Sequence, residues 1–174
     1  MVGRGDPRPL ASSPGDADSF DTGPAACILR RISQLEQSRP LDIVLAEDDP
    51  DLAVLNQVVL ESAGHRVEVA TDGAETLEAV RKTEPDLLIL DMEMPRGDGL
   101  EVLEELRAEP ATVDQPVIVL SNKTLSEGEE RRLVRLGVID FLAKWKIDPR
   151  VLVGWIRGWA ASRVRRYSPR EKRP

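Results

Sequence analysis

The sequence predicts an α/β fold in which five parallel strands form one doubly wound sheet with helices on both faces. From Leu41 onwards, short apolar segments alternate with longer amphipathic segments, as in repeated strand–helix units. Two apolar segments, "LLIL" at 87–90 and "VIVL" at 117–120, are apolar on both faces, which is typical of parallel strands buried between helices. The amphipathic segments are long enough to supply the crossover connections that parallel strands need.

Turn and capping residues bound the elements in order along the chain. The five strands are predicted over 41–49, 65–71, 85–91, 115–121 and 138–145. The five helices are predicted over 50–64, 72–84, 99–109, 126–137 and 148–167. Pro50 begins the first helix and Gly64 ends it, and the second and third helices each end just before a proline. Asp148 and Pro149 supply the N-cap and the first position of the last helix.

The regular pattern defines a folded domain with a segment on either side. Residues 1–23 are rich in Gly, Pro, Ser and Asp and poor in large apolar residues, which predicts disorder. Residues 24–40 place apolar residues at helical spacing, which predicts a short amphipathic helix or linker. The folded domain is expected over 41–166, and a basic, solvated tail is expected over 167–174.

Composition and charge argue against several classes of protein. With one cysteine, Cys27, and one histidine, His65, the chain cannot form an internal disulfide, and a metal site built on these residue types is not expected. We expect His65 to be a solvated turn residue. Residues 41–159 hold 25 acidic and 13 basic residues, which argues against direct binding to nucleic acid. Without a membrane-length apolar run or a signal-peptide core, a cytoplasmic location is expected.

Reactive side chains are concentrated at the carboxyl ends of the predicted strands, where sheets of this type bind ligands. The first strand ends with Glu47, Asp48 and Asp49, the third with Asp91 and the fourth with Ser121, and the fifth carries Lys144. Carboxylates brought together in this way repel each other unless a cation lies among them, and such oxygen ligands suit Mg²⁺. An ammonium and a hydroxyl group can hold phosphoryl oxygens. Asp91 is therefore the predicted nucleophile, which would form an aspartyl phosphate.

Four motifs resemble those of the response-regulator receiver domain of two-component signalling, in the form that stands alone. The motifs are "IVLAEDDPD", "LLILDMEMPRGDGLEVLEEL", "PVIVLS" and "DFLAK", and the resemblance extends over 41–166, nearly three quarters of the chain. It implies a flavodoxin-like sheet with the strand order 2-1-3-4-5. It also implies a phosphoaccepting signalling protein of a phosphorelay rather than an enzyme, with slow self-dephosphorylation at most.

The resemblance assigns a role to each residue of the predicted site. Asp91 would be the phosphoacceptor, and Lys144 would pair with the phosphoryl group. Ser121 would be the switch hydroxyl that moves to meet this group, and Phe141 would be the switch aromatic residue. The expected ligands of Mg²⁺ are Glu47, Asp48, Asp91 and the backbone carbonyl of Glu93.

Several residues near this site differ from the usual family sequence. Trp145 replaces the proline that normally follows the lysine, so we expect a trans peptide bond or a rearranged loop there. Asn122 replaces a small residue and Glu93 adds a carboxylate, and both are expected to alter hydrolysis of the phosphoryl group. Phe141 lacks the hydroxyl group of the tyrosine often found at the switch position.

The predicted readout surface consists of the fourth helix, the fifth strand and the fifth helix, and all three tryptophans lie on or near it. Leu152, Ile156 and Trp159 are expected to pack on the sheet, whereas Trp145 and Trp155 are candidates for contact with a partner. The expected partners are a sensor histidine kinase or a histidine phosphotransfer protein, a downstream protein target, and a second copy of this chain in a homodimer.

Two other interpretations of the sequence remain open. A pseudo-receiver would bind proteins without being phosphorylated, and Asn122 and Trp145 favour it. A phosphatase acting through an aspartyl intermediate would need a second aspartate two residues after Asp91, where this chain has Glu93.

Overall fold

The structure, a computed structural model, describes residues 39–122, 124–146 and 148–164. The segment 1–23, nearly all of 24–40 and the tail 167–174 lie outside the described residues. The elements in chain order are β1 (Asp42–Ala46), α1 (Pro50–Ser62), β2 (Arg66–Ala70), α2 (Gly73–Thr83), β3 (Leu87–Leu90), α3 (Gly99–Ala108), β4 (Val117–Ser121), α4 (Glu127–Arg135), β5 (Asp140–Ala143) and α5 (Pro149–Val164).

The five strands form one parallel sheet in the order β2-β1-β3-β4-β5. The central strand β3 is buried along its whole length, as "LLIL" predicts. The predicted α/β class, the five helices and the flavodoxin-like strand order are all confirmed.

Alternate residues of the strands build an apolar cluster on each face of the sheet. On one face, Val44 and Ala46 of β1 lie in a cluster with apolar residues of α2, α3 and α4. On the other face, Ile43 and Leu45 lie in a cluster with α1 and α5, where Leu152 and Ile156 are buried as predicted. The two clusters supply most of the hydrophobic stabilisation, at about 25 cal/mol for each Å² of apolar surface removed from water.

Two strands end two or more residues earlier than the sequence predicted. β1 ends at Ala46 instead of residue 49, because Asp49 leaves the sheet to become the N-cap of α1, where its carboxylate accepts hydrogen bonds from the N–H groups of Asp51 and Leu52. β5 ends at Ala143, and Lys144–Lys146 form a 3₁₀ turn. Among the described residues no peptide bond is cis, so the trans bond expected before Trp145 is confirmed.

The expectation that His65 is solvated was wrong. Its side chain is buried, with 5% of its surface exposed, and its Nδ1 accepts a hydrogen bond of 3.3 Å from the N–H of Leu41. Burial and the nearby charge of Arg157 both lower the pKa of the imidazole. The turn residue thus faces inward, against the start of β1.

The half-buried tryptophans of α5 contribute to packing. Trp159 packs against the cluster on the α1 and α5 face, as predicted. Trp155 packs against the same cluster, and its Nε1–H donates a hydrogen bond of 2.9 Å to Oδ2 of Asp140 at the start of β5. No helix in the described part of the chain is both long and apolar enough to span a membrane.

Candidate functional site

The parallel register brings the predicted site residues to one edge of the sheet. Ala46 of β1 is paired with Leu90 of β3, so the residues that follow, Glu47 and Asp91, are neighbours. The N–H of Asp91 donates to the carbonyl of Ala46 at 3.1 Å, which fixes the backbone at the end of β3. Ser121 and Ala143 are paired at the ends of β4 and β5, so Lys144 emerges at the same edge.

Lys144 bridges two buried carboxylates. Its ammonium group lies 2.6 Å from Oε1 of Glu47 and 2.6 Å from Oδ2 of Asp91. The side chain of Lys144 is 10% exposed, and those of Glu47 and Asp91 are 1% and 5% exposed. Charge-assisted hydrogen bonds of this kind are strong where water is excluded, so the three side chains hold one another in place.

The surroundings raise the pKa values of two members of this group, Glu47 and Lys144. Burial raises the pKa of Glu47, and the hydrogen bond and charge of Lys144 offset only part of that increase. Burial also acts to lower the pKa of Lys144, but its hydrogen bonds to Asp91 and Glu47 and their charges outweigh this effect, so the pKa is raised. Lys144 therefore stays charged beside the carboxylate of Asp91.

The acids at this edge can hold a cation. Glu47, Asp48 and Asp91 each offer a carboxylate oxygen, and these oxygens lie within 4.8 Å of one another. Asp48 is exposed, unlike the other two, so the cluster opens to solvent on its side. A set of carboxylate oxygens with room for water suits Mg²⁺, which keeps several waters in its coordination shell.

The loop after Asp91 turns back directly behind the carboxylate. The N–H of Glu93 donates to Oδ1 of Asp91 at 3.2 Å, and the N–H of Gly99 donates to the carbonyl of Met92 at 3.1 Å. A Cβ atom on Gly99 would lie 2.4 Å from the carbonyl oxygen of Asp91, so only glycine permits this approach. Met92 and Met94 are buried in the apolar cluster on the face of α2, α3 and α4.

The two predicted switch residues differ in burial. Ser121 is fully buried at the end of β4, whereas Phe141 on β5 is partly buried against the cluster that α3 and α4 share. Asn122, the next residue along the chain from Ser121, is exposed. The switch roles themselves remain predictions.

Trp145 extends from the 3₁₀ turn into solvent. It is 70% exposed, and the ammonium group of Lys146 lies 4.5 Å from the centroid of its ring. It follows Lys144 directly in the chain.

The sequence did not predict two features of this region. The pairing of Lys144 with Glu47 joins residues 97 positions apart, and local sequence carries no signal for it. Val54, Leu55 and Val58 form an exposed apolar patch on α1, the helix that begins just after Glu47 and Asp48. We call these three residues the α1 patch. Its signal was the run of apolar residues in "LAVLNQVVL", which is wider than one buried helix face needs.

Comparison with known proteins identifies the family to which this chain belongs. A family model described as the response regulator receiver domain matches residues 43–157. The gliding motility regulatory protein of Myxococcus xanthus is 31% identical over 123 residues, which cover 71% of this chain and 16% of that protein. The transcriptional regulatory protein RprY of Bacteroides fragilis is 33% identical over 110 residues, which cover 63% of this chain and 45% of that protein. The chain thus spans less than half the length of these two curated relatives.

A solved structure agrees with the sequence comparison. The crystal structure of a putative response regulator from Chloroflexus aurantiacus matches with a TM-score of 0.62 at 29% identity, covering 71% of this chain and 99% of that chain. The match includes nearly all of the solved chain, so the similarity is that of a complete domain. This chain belongs to the receiver domain family of response regulators, the signalling proteins of two-component systems.

Proposed function

We propose that this protein accepts a phosphoryl group on Asp91 and signals through the surface formed by α4, β5 and α5. The observation that carries the proposal is the buried bridge in which Lys144 contacts Asp91 and Glu47, with Asp48 exposed beside it. An isolated buried ion pair is costly to maintain, so a bridge of this kind beside an open carboxylate favours a role in binding a charged group.

The proposed reaction is a nucleophilic substitution at phosphorus. An oxygen of the Asp91 carboxylate forms a bond to the phosphorus of a phosphohistidine, the P–N bond breaks, and the imidazole leaves with the electron pair and takes up a proton. Lys144 already lies within hydrogen-bond distance of Asp91 and can donate to a phosphoryl oxygen. Mg²⁺ bound by Glu47, Asp48, Asp91 and the backbone carbonyl of Glu93 would offset the charge of the phosphoryl oxygens.

Strands β4 and β5 would then respond to the new charge. A phosphoryl group adds about two negative charges and new acceptor oxygens, which Ser121 and Lys144 can contact. Both lie at the ends of neighbouring strands, so such contacts would draw the ends of β4 and β5 together. Rotation of Phe141 is the proposed second part of the switch.

The proposed partners follow from the same surfaces. A sensor histidine kinase or a histidine phosphotransfer protein would donate the phosphoryl group, and the α1 patch and Trp145 offer it exposed apolar contacts. A downstream target or a second copy of the chain would bind α4, β5 and α5, where Trp155 is half-buried. A cytoplasmic setting and a receiver domain over 41–166 belong to this proposal. The stand-alone form stays a prediction, which the mass of the native protein tests.

The decisive experiment is intact mass spectrometry after incubation with acetyl phosphate and Mg²⁺. We expect a labile increment of one phosphoryl group on the native protein and none on Asp91→Asn or in the presence of EDTA. The variant Asp49→Asn is a matched control, because it changes a neighbouring acid that caps α1 and should leave the increment intact. If the native protein gains no phosphoryl group, even after rapid acid quenching, the pseudo-receiver interpretation is favoured.

A further inference from the structure

The turn between β2 and α2 is fixed to the loop between β3 and α3 by three contacts. Oδ2 of Asp72 accepts hydrogen bonds from Nε of Arg96, at 2.9 Å, and from its Nη2. The N–H of Gly73 donates to the carbonyl of Pro95 at 3.3 Å. A Cβ atom on Gly73 would lie 2.6 Å from the carbonyl oxygen of Gly97, so the two backbones are in direct contact. We call Asp72, Gly73 and Arg96 the turn clamp.

The carboxylate of Asp72 serves both elements at once. Its Oδ1 accepts a hydrogen bond of 2.9 Å from the N–H of Glu75 and so caps α2, while Oδ2 faces Arg96. The side chain is 1% exposed, although it is charged. An ordinary helix cap needs only one of these oxygens and can remain solvated. The second oxygen is therefore available for a task outside α2.

Arg96 has a backbone conformation that its neighbours must maintain. Its φ of 54° lies in the left-handed region, which is unfavourable for a residue with a side chain. Such conformations persist where surrounding contacts fix them, and here the contacts come from Asp72 and Gly73. The clamp thus determines the path of the loop at Arg96.

The segment between Asp91 and Arg96 is consequently held at both ends. At one end, Asp91 is fixed by β3 and by the hydrogen bond to the carbonyl of Ala46. At the other end, Pro95 and Arg96 are fixed by the turn clamp. Glu93 lies between these points, and its N–H already donates to Oδ1 of Asp91. The position of its backbone therefore depends on the clamp.

We propose that Asp72 and Arg96 are positioning residues that hold the backbone of Glu93 against the carboxylate of Asp91 and thereby set the affinity of the acidic cluster for Mg²⁺. The inference rests on the proposed function, which assigns Mg²⁺ to this cluster. Neither residue touches the cation. They act through the loop, as residues outside a coordination shell commonly orient the ligands within it.

Two variants break the clamp from opposite sides. Arg96→Ala removes the guanidinium but leaves Asp72 as the cap of α2. Asp72→Asn keeps a capping oxygen and turns an amide N–H₂ towards Arg96, so two donors face each other. Arg96→Lys, which keeps the positive charge and one donor nitrogen, is the conservative variant. Arg81→Ala is the matched control, because the hydrogen bonds and ion pairs of Arg81 go to Glu105 and Glu109, which lie outside the loop.

The first measurement is the dissociation constant for Mg²⁺ by titration calorimetry, with thermal unfolding of each variant measured alongside it. We expect Arg96→Ala and Asp72→Asn to bind Mg²⁺ about tenfold more weakly than the native protein, with Arg96→Lys in between. Arg81→Ala should lower the unfolding temperature by a similar amount and leave the dissociation constant unchanged. If Arg96→Ala binds Mg²⁺ as tightly as Arg81→Ala does, the clamp has no positioning role.

The second measurement needs no metal and separates this inference from the proposed function. Amide hydrogen exchange of peptides covering residues 92–98 should be faster in Arg96→Ala than in the native, metal-free protein, and unchanged in Arg81→Ala. Unchanged exchange in Arg96→Ala would overturn the clamp whatever the affinity for Mg²⁺. Faster exchange in a protein that binds no Mg²⁺ would instead overturn the assignment of the metal.

Discussion

At the scale of single residues, environment decides what each acid beside β1 does. Glu47 turns inward to Lys144, Asp48 is exposed, and Asp49 caps α1, although the three are consecutive in the chain. The same composition in a disordered tail would give three equivalent surface charges. The site therefore depends on the direction in which the chain leaves β1. It also depends on the ammonium group of Lys144, which follows β5 and contacts Glu47.

Removing the ammonium group of Lys144 should destabilise the protein strongly. In Lys144→Met, the carboxylates of Glu47 and Asp91 remain buried without their cationic partner, which typically costs about 3–5 kcal/mol. We expect a loss of that order in the free energy of unfolding measured in urea. The double variant Lys144→Met/Glu47→Gln should be more stable than Lys144→Met alone, because it buries one charge fewer. Equal stability of the two variants would mean that Glu47 and Lys144 are not coupled.

His65 should make the stability depend on pH. Burial and the charge of Arg157 lower its folded-state pKa below the ordinary 6.5, so the unfolded chain binds a proton more readily. The stabilisation is present above pH 6.5 and is lost as the pH falls below that value towards the folded-state pKa. Urea unfolding at pH 7.5 and 5.5 should show this loss in the native protein and a smaller one in His65→Gln. Because the chain has one histidine, an NMR titration of its imidazole gives the folded-state pKa directly.

At the scale of elements, the tryptophans near α5 divide into structural and exposed residues. Trp155 joins α5 to β5 through its hydrogen bond to Asp140, and Trp159 packs on the sheet. Trp145 instead extends into solvent from the turn between β5 and α5. Sequence spacing alone could not separate Trp155 from Trp145 as candidates for contact with a partner. Contacts within the domain now favour Trp145 as the contact for a phosphodonor.

Substitutions of Trp155 and Trp145 should affect different measurements. Trp155→Phe keeps an aromatic ring in the cluster but loses the hydrogen bond to Asp140, so we expect a loss of about 1 kcal/mol in urea unfolding. Trp145→Ala should change stability by less than about 0.5 kcal/mol, because the ring is exposed. It should slow phosphorylation by a protein donor and leave the rate with acetyl phosphate unchanged. Equal slowing with both donors would place the effect of Trp145 on the chemistry instead of on docking.

At the scale of the whole molecule, the sequence predicted what repeats along the chain and missed what depends on distant contacts. Doubly apolar strands alternating with capped helices predict the sheet, and parallel strands bring Asp91 and Lys144 to one edge. The burial of His65 depends on its contact with the start of β1, and the clamp at Asp72 depends on Arg96, 24 positions away. Neither contact belongs to a periodic pattern. Local propensity therefore predicted the turn at His65 and the helix that begins near Asp72, but not the tertiary contacts of either residue.

Because the acidic cluster is part of the folded state only, binding of Mg²⁺ should stabilise the entire domain. At a free Mg²⁺ concentration one hundred times the dissociation constant, we expect the free energy of unfolding to rise by about 2.7 kcal/mol. Asp48→Asn should abolish most of this increase, since Asp48 is the exposed member of the cluster. Asp51→Asn changes an exposed acid in the first turn of α1 and is the matched control that should keep it. Thermal unfolding with Mg²⁺ and with EDTA measures the difference, and equal stabilisation of both variants would show that Mg²⁺ binds elsewhere.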